Sequence, residues 1–197
     1  MRVAVVVAHP AVESFCHHLA SRAVTGLRAA GHDVTVLDLC ADGFRVAMSA
    51  TEREAYHGDT PVLDPLVAAH AEVVRNAETL VFVYPTWWSG LPAVLKGWLE
   101  RVLVPGVAFV FDERTGRVRP GLGGVRHIVG ISTYGSPRSY VSLVNDNGRR
   151  IITRALRMSC GIRTRTHWIG LYAIDTSTDT ERREFAARVE RELAALR

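Results

Sequence analysis

TLVFVYPTWWSGLPAVLKGWLERVL, residues 79–103, passes from one hydrophobic period to another within a few positions. Leu80–Tyr84 is a continuous apolar run, short and β-branched, as in a strand buried on both faces. Pro85 has no N–H to give a ladder and should end that strand. Trp87, Trp88, Ser89 and Gly90 follow as a polar-aromatic loop. From Leu91 the spacing is helical: Val94, Leu95, Trp98, Leu99, Val102 and Leu103 recur on one face, with Pro92 in the first turn. Strand, loop and helix in that order place the loop where open α/β sheets bind ligands. Trp98 reads as a core anchor. Adjacent turn positions cannot both point inward, so Trp87 or Trp88 should line a surface or cleft.

Outward from this stretch the same alternation repeats. Arg2–Ala8 is a second apolar run ended by His9-Pro10, and a helix over 14–30 carries Phe15, Leu19, Ala23, Leu27 and Ala30 on one face, closed by Gly31. Strands are expected over 33–39, 125–132 and 164–171, and helices over 51–56, 64–76, 149–158 and 180–196. Residues 105–124 read as an irregular excursion with a hairpin turn at Thr115-Gly116. Five strand–helix units predict a parallel sheet covered on both faces, a three-layer α/β sandwich of strand order 2-1-3-4-5. In that order the loops at 9–14, 85–90 and 132–136 converge on one cleft.

At 197 residues the chain suits one domain, 1–197, and its 48% hydrophobic and 22% charged content is ordinary for a soluble protein. No apolar run is long enough for a membrane span, so a cytoplasmic protein without stable membrane insertion is expected. Cys16, Cys40 and Cys160 have neither disulfide-framework nor zinc spacing. His9, Cys16, His17 and His18 diverge around a helix start, so they read as surface residues and no metal is expected. The net charge of +4 is carried by arginine, Lys96 being the sole lysine. The arginines are scattered, unlike a nucleic-acid footprint, and Arg149-Arg150 and Arg163/Arg165 read as a solvated face. The first loop opens on a helix N-terminus suited to an anion, yet lacks both G-x-x-x-x-G-K-[ST] and G-x-G-x-x-G. Ser14 there reads first as a helix cap, with the amides of Phe15, Cys16 and His17 pointing outward.

The spacing A-H-P-x-x-x-S-F at 8–15 and the run Y-P-T-W-W-S-G-L-P-A-V-L-K-G-W-L-E-R-V at 84–102 resemble the NAD(P)H:quinone oxidoreductase (DT-diaphorase-like) branch of the flavodoxin-like flavoproteins. The resemblance extends over essentially the whole chain. It implies a flavin, FMN or FAD, reduced by NADH or NADPH, and a homodimer with the site at the interface. His9, Ser14, Phe15, Cys16 and His17 would hold the ribityl phosphate. Pro85, Thr86, Trp87, Trp88 and Ser89 would lie along the isoalloxazine. Ser132, Thr133, Tyr134 and Gly135 stand at the family's T-T-G-G, and Tyr140 at a tyrosine near the pyrimidine end; Tyr134 and Tyr140 are the candidate catalytic residues. Tyr134 departs from the family's glycine and would narrow the pocket or cover the ring. The histidine that accompanies the tyrosine in mammalian members has no counterpart, Asp146 or Asn147 standing nearest. No counterpart of the mammalian C-terminal segment follows the last helix, which tilts the cofactor toward FMN.

The implied reaction is a two-electron, ping-pong reduction of a quinone-like acceptor. Two other readings come with the family: a flavin-binding ancillary subunit of a potassium efflux system, and a flavodoxin-type electron carrier, against which the basic balance argues. The arginines at 149–165 are also placed to meet a 2′-phosphate.

Overall fold

The computed structural model describes residues 1–58, 60–112 and 114–197. Its strands are β1 (Arg2–Val7), β2 (Asp33–Asp38), β3 (Thr79–Thr86), β4 (Phe109–Phe111), β5 (Val118–Pro120), β6 (His127–Tyr134) and β7 (Arg165–Leu171). Five of them form a parallel sheet ordered β2-β1-β3-β6-β7, the expected 2-1-3-4-5 when sheet strands alone are numbered. β4 and β5 form a separate antiparallel ribbon with Phe109 opposite Pro120. This is the hairpin expected in the 105–124 excursion; Glu113, beside its turn, lies outside the described residues.

The helices are α1 (Phe15–Ala29), α2 (Ala50–Ala55), α3 (Pro65–Asn76), α4 (Ala93–Val102), α5 (Arg138–Leu143), α6 (Asn147–Arg150), α7 (Leu156–Cys160) and α8 (Asp179–Ala194). A π-helical turn, Ile151–Ala155, joins α6 to α7. Strand alternation sends successive side chains to opposite faces. Val5, Val83 and Ile131 meet Leu19, Leu27, Phe185 and Val189 of α1 and α8. Val6, Phe82 and Ile128 meet Val74, Trp98, Ile152 and Leu156 on the other face. Each such side chain, fully buried, contributes about 1.5–3 kcal/mol. Ala30, placed on the buried face of α1 by spacing, is exposed, because it is the C-cap where the helix turns away.

Pro85 does not end β3. It pairs with Thr133 and Thr86 pairs with Tyr134, so the strand runs two residues further than expected. The Val83 carbonyl accepts from Ala8 on the β1 side. Alternation turns the missing Pro85 donor to that same side, where β1 has already ended, so the ladder to β6 loses nothing. Pro92 precedes α4 as its N-cap residue rather than lying in its first turn. The short α5, within a stretch that reads as a loop, buries only Val141 and so shows no helical period.

The connection at 44–64 is pinned to α4 by a buried ion-pair network. Arg101, 3% exposed, donates through Nε to Glu52 at 2.9 Å and through Nη2 to Asp64 at 2.7 Å. Its Nη1 donates to the Arg45 carbonyl and its guanidinium lies 5.1 Å from the Phe44 ring centre. Burial pushes the Glu52 carboxyl up, but the Ser49 amide and the Arg101 and Arg45 guanidiniums outweigh it and hold the group at about 2. Gly97 lets this connection close in, since a Cβ there would sit 2.2 Å from the Val46 carbonyl oxygen.

Candidate active site

The carboxyl ends of β1, β3 and β6 come together. The rings of His9 and Trp87 lie 5.7 Å apart, joining the first loop to the second. The hydroxyls of Thr86 and Ser132 lie 2.9 Å apart, joining the second to the third.

The first loop is built around two histidines. The Ala11 amide donates to His9 Nδ1 at 3.0 Å, so the neutral ring carries its proton on Nε2. Burial lowers the His9 pKa, and His17 nearby acts in the same direction. His17 Nε2 lies 3.0 Å from the His9 carbonyl, tying the loop back onto α1. Ser14 Oγ accepts from the His17 amide at 3.3 Å, the N-cap contact expected of it. That contact takes the His17 donor, so only Phe15 and Cys16 present free first-turn amides. Cys16 is no surface residue: it is 4% exposed, and burial pushes its thiol up to about 12.

The second loop is a two-residue turn. Trp87 and Gly90 exchange backbone hydrogen bonds, with Trp88 at φ 48° and Ser89 at φ 55° between them. Those angles are the left-handed region that Asn-Gly usually occupies in such a turn. Trp88 is therefore held with its indole wholly in solvent, and Trp87 is half exposed. Trp98, by contrast, is core, donating from Nε1 to His70 Nδ1 at 3.0 Å.

The third loop contributes Tyr134, 1% exposed, whose ring stacks on Tyr172 at 4.5 Å. Its phenol donates to the Asp146 carboxylate at 3.1 and 3.3 Å. Burial, and then the Asp146 charge, push that phenol pKa well up, so it stays protonated. Tyr134 stands as a wall of the cleft, its backbone needing no glycine-like angle. Ser132 and Thr133 are buried behind it.

Thr86, Trp88, Ser89, Tyr134, Gly135 and Tyr140 line one cleft of about 250 Å³, together with Ser136, Val141, Val144 and Asp146. His9, Ser14 and His17 adjoin it through Trp87 rather than lining it. The cleft-lining residues that the sequence reading did not place there are Val141, Val144 and, above all, Asp146. Its only mark in sequence was its place beside a missing histidine; Asp146 reaches the cleft across two left-handed backbone positions, Asn145 at φ 77° and Asp146 itself at φ 41°. Gly148 brings α6 against the second loop: a Cβ would lie 3.2 Å from Gly90 C and 3.4 Å from Tyr84 Oη. Arg149 and Arg150 are exposed, as a solvated face requires, and with Arg138 and Arg154 they also line a second cavity.

Sheet order and cleft together define a doubly wound α/β protein with a cleft where its central strands end, the position at which such sheets bind ligands. A family model described as a flavodoxin-like fold matches residues 1–194, and the chain belongs to that family. It is 31% identical over 125 residues to rat (Rattus norvegicus) NAD(P)H dehydrogenase (quinone) 1, covering 56% of this chain and 46% of that protein. The chain spans about half the length of the curated relatives it matches. A putative quinone reductase from Klebsiella pneumoniae superposes with a TM-score of 0.81 at 25% identity, over 98% of this chain and 83% of that one. An FMN-dependent NADH-azoreductase from Bacillus anthracis, solved with FMN, superposes at 0.72 over 98% and 97% of the two chains; at 16% identity it shares the fold. Among the described residues no helix is long and apolar enough to cross a membrane.

Proposed function

We propose that this protein is a flavin-dependent NAD(P)H oxidoreductase that makes two-electron reductions of quinone-like, conjugated acceptors. The observation that carries the reading is the convergence of three strand ends on one aromatic cleft, marked by the 5.7 Å contact of His9 with Trp87 and the 2.9 Å contact of Thr86 with Ser132. The family and the quinone-reducing relatives support it.

The residues present fit a flavin. Trp88 and Tyr140 give exposed aromatic surface for a flat ring beside the buried Tyr134, and such contacts contribute about 0.5–1.5 kcal/mol beyond area burial. The neutral His9 offers a donor at Nε2, and the Phe15 and Cys16 amides open α1 toward a phosphate. Ser89, Ser136 and Gly135 add hydrogen-bonding groups around the rim. FMN is the favoured cofactor, as in the azoreductase of the same fold. A bound flavin would supply hydride acceptance from NADH or NADPH and delivery to the acceptor. The protein's part is to hold the ring flat, keep the Tyr134 phenol protonated and limit water.

One cleft serving the nicotinamide and then the acceptor implies a ping-pong order. The cleft rim carries the fully exposed Trp88, with Leu143 83% exposed on the neighbouring α5. A second copy of the chain, closing over these side chains, would complete a homodimeric site. The free cysteines suit a cytoplasmic setting.

A visible spectrum of the purified protein, with release and chromatography of its chromophore, tests the reading and names the cofactor. A colourless protein that takes up neither FMN nor FAD would end it. Initial-rate plots should give parallel lines; intersecting lines would exclude the ping-pong order.

A further inference from the structure

Beside the cleft, and sharing Val141 and Asp146 with it, lies a second cavity of about 310 Å³. Arg138 of α5, Arg149 and Arg150 of α6 and Arg154 of the π-helical turn line it, with Ser142, Asn145, Thr153 and Tyr172. Asp146 is the single carboxylate on its wall, and both oxygens of that carboxylate already face the Tyr134 phenol. Among the described residues none of these four arginines enters an ion pair, although arginines elsewhere on the chain pair repeatedly. All four are exposed residues, and four guanidiniums around one cavity sum to a positive potential that attracts an anion.

Two of the four are also held in place by aromatic rings. The Arg138 guanidinium lies 5.9 Å from the Tyr172 ring centre and that of Arg149 lies 5.8 Å from Trp168. The turn that carries Arg154 is a π-helix, a local widening that costs regular hydrogen bonding and recurs at functional sites. Tyr172 bridges the two cavities, stacked on Tyr134 on the cleft side and lining the arginine side.

We propose that this cavity is the subsite for the phosphoryl groups of the reduced dinucleotide donor. The proposal rests on the oxidoreductase reading above. A nicotinamide entering the cleft beside Tyr134 would trail its phosphates past Val141 and Asp146 into the arginines. Planar guanidinium forks match phosphate oxygens bidentately, and a compact cavity suits a small polyanion better than the long track of a nucleic acid. The quinone-like acceptor carries no such group, so the subsite acts on one half of the cycle.

The test is the double variant Arg150→Gln/Arg154→Gln, which spares the two stacked arginines and every residue of the cleft. With a phosphate-free N-alkyl dihydronicotinamide its turnover should equal wild type. KM for the dinucleotide should rise about tenfold or more with kcat unchanged, as expected for lost charge-assisted contacts. A rise for NADPH alone assigns the arginines to the 2′-phosphate, and a rise for NADPH and NADH alike assigns them to the pyrophosphate; either supports the subsite. Unchanged KM for both dinucleotides overturns it. So does a loss of retained flavin with donor KM unchanged, since the arginines would then hold the flavin's own phosphates. Calorimetry with NADP⁺ separates this proposal from the reading it rests on, because it needs no bound flavin. Equal NADP⁺ affinity in wild type and variant defeats the subsite, whereas a wild type that takes up no flavin defeats the oxidoreductase reading.

Discussion

The Tyr134 phenol donates to the Asp146 carboxylate at 3.1 and 3.3 Å, fastening the end of β6 to the elbow that opens α6. The bond fixes the ring that walls the cleft and holds the one acidic group of the arginine cavity.

Tyr134→Phe keeps the ring and its stacking on Tyr172 but leaves Asp146 without this donor. Stability should fall by about 1 kcal/mol. Urea denaturation checks it: the midpoint should drop with the slope unchanged, and an unchanged midpoint would mean the hydrogen bond contributes nothing.

Trp88 is held at φ 48°, a region that costs an L-residue about 1–2 kcal/mol. Trp88→Gly should therefore raise the thermal midpoint, while flavin retention or quinone turnover falls. Opposite signs for stability and function are what a strained binding turn predicts. A variant that is less stable and equally active would refute both halves.

Arg101→Met removes the cation from a buried cluster and leaves Glu52 and Asp64 facing each other. The expected loss is about 3–5 kcal/mol, read by chemical denaturation. Arg101 touches no residue of the cleft, so any folded fraction should keep its flavin. A loss below about 1 kcal/mol would place the network among solvent-screened surface pairs.

Glu52 gives a pH dependence of definite sign. Its folded pKa, about 2, lies below the ordinary 4.5, so the stability it contributes is fully present above pH 4.5 and is lost as pH falls toward 2. Glu52→Gln should lie below wild type at neutral pH, and the gap should close across that window. A gap that stays constant from pH 6 to 2.5 would assign the effect to packing.

Much of this architecture was legible in the residues. The apolar runs at 2–8 and 80–84, the helical spacing after Leu91 and the cap Ser14 set the elements and their sequence. The convergence of three loops followed from strand order alone. Pro85 misled because the rule that proline ends a strand depends on which neighbour its missing donor faces, and that neighbour had stopped. The short α5 escaped because six residues with one buried side chain carry no period. Cys16 looked like surface because spacing does not tell how far two helices wrap over a sheet.

Period, capping and chain order are local properties, set by the geometry of a few consecutive peptide units, and from them the sequence by itself determined a parallel sheet of order 2-1-3-4-5 with a cleft at its carboxyl edge. Which polar groups meet was decided only by tertiary packing. Asp146 reaches Tyr134, four arginines share one cavity and Arg101 finds Glu52 because the register of β3 on β6 and the rotation of α4 and α6 place them there. Those rotations follow from the fit of side chains between layers, and no stretch of the chain contains that fit before the layers close.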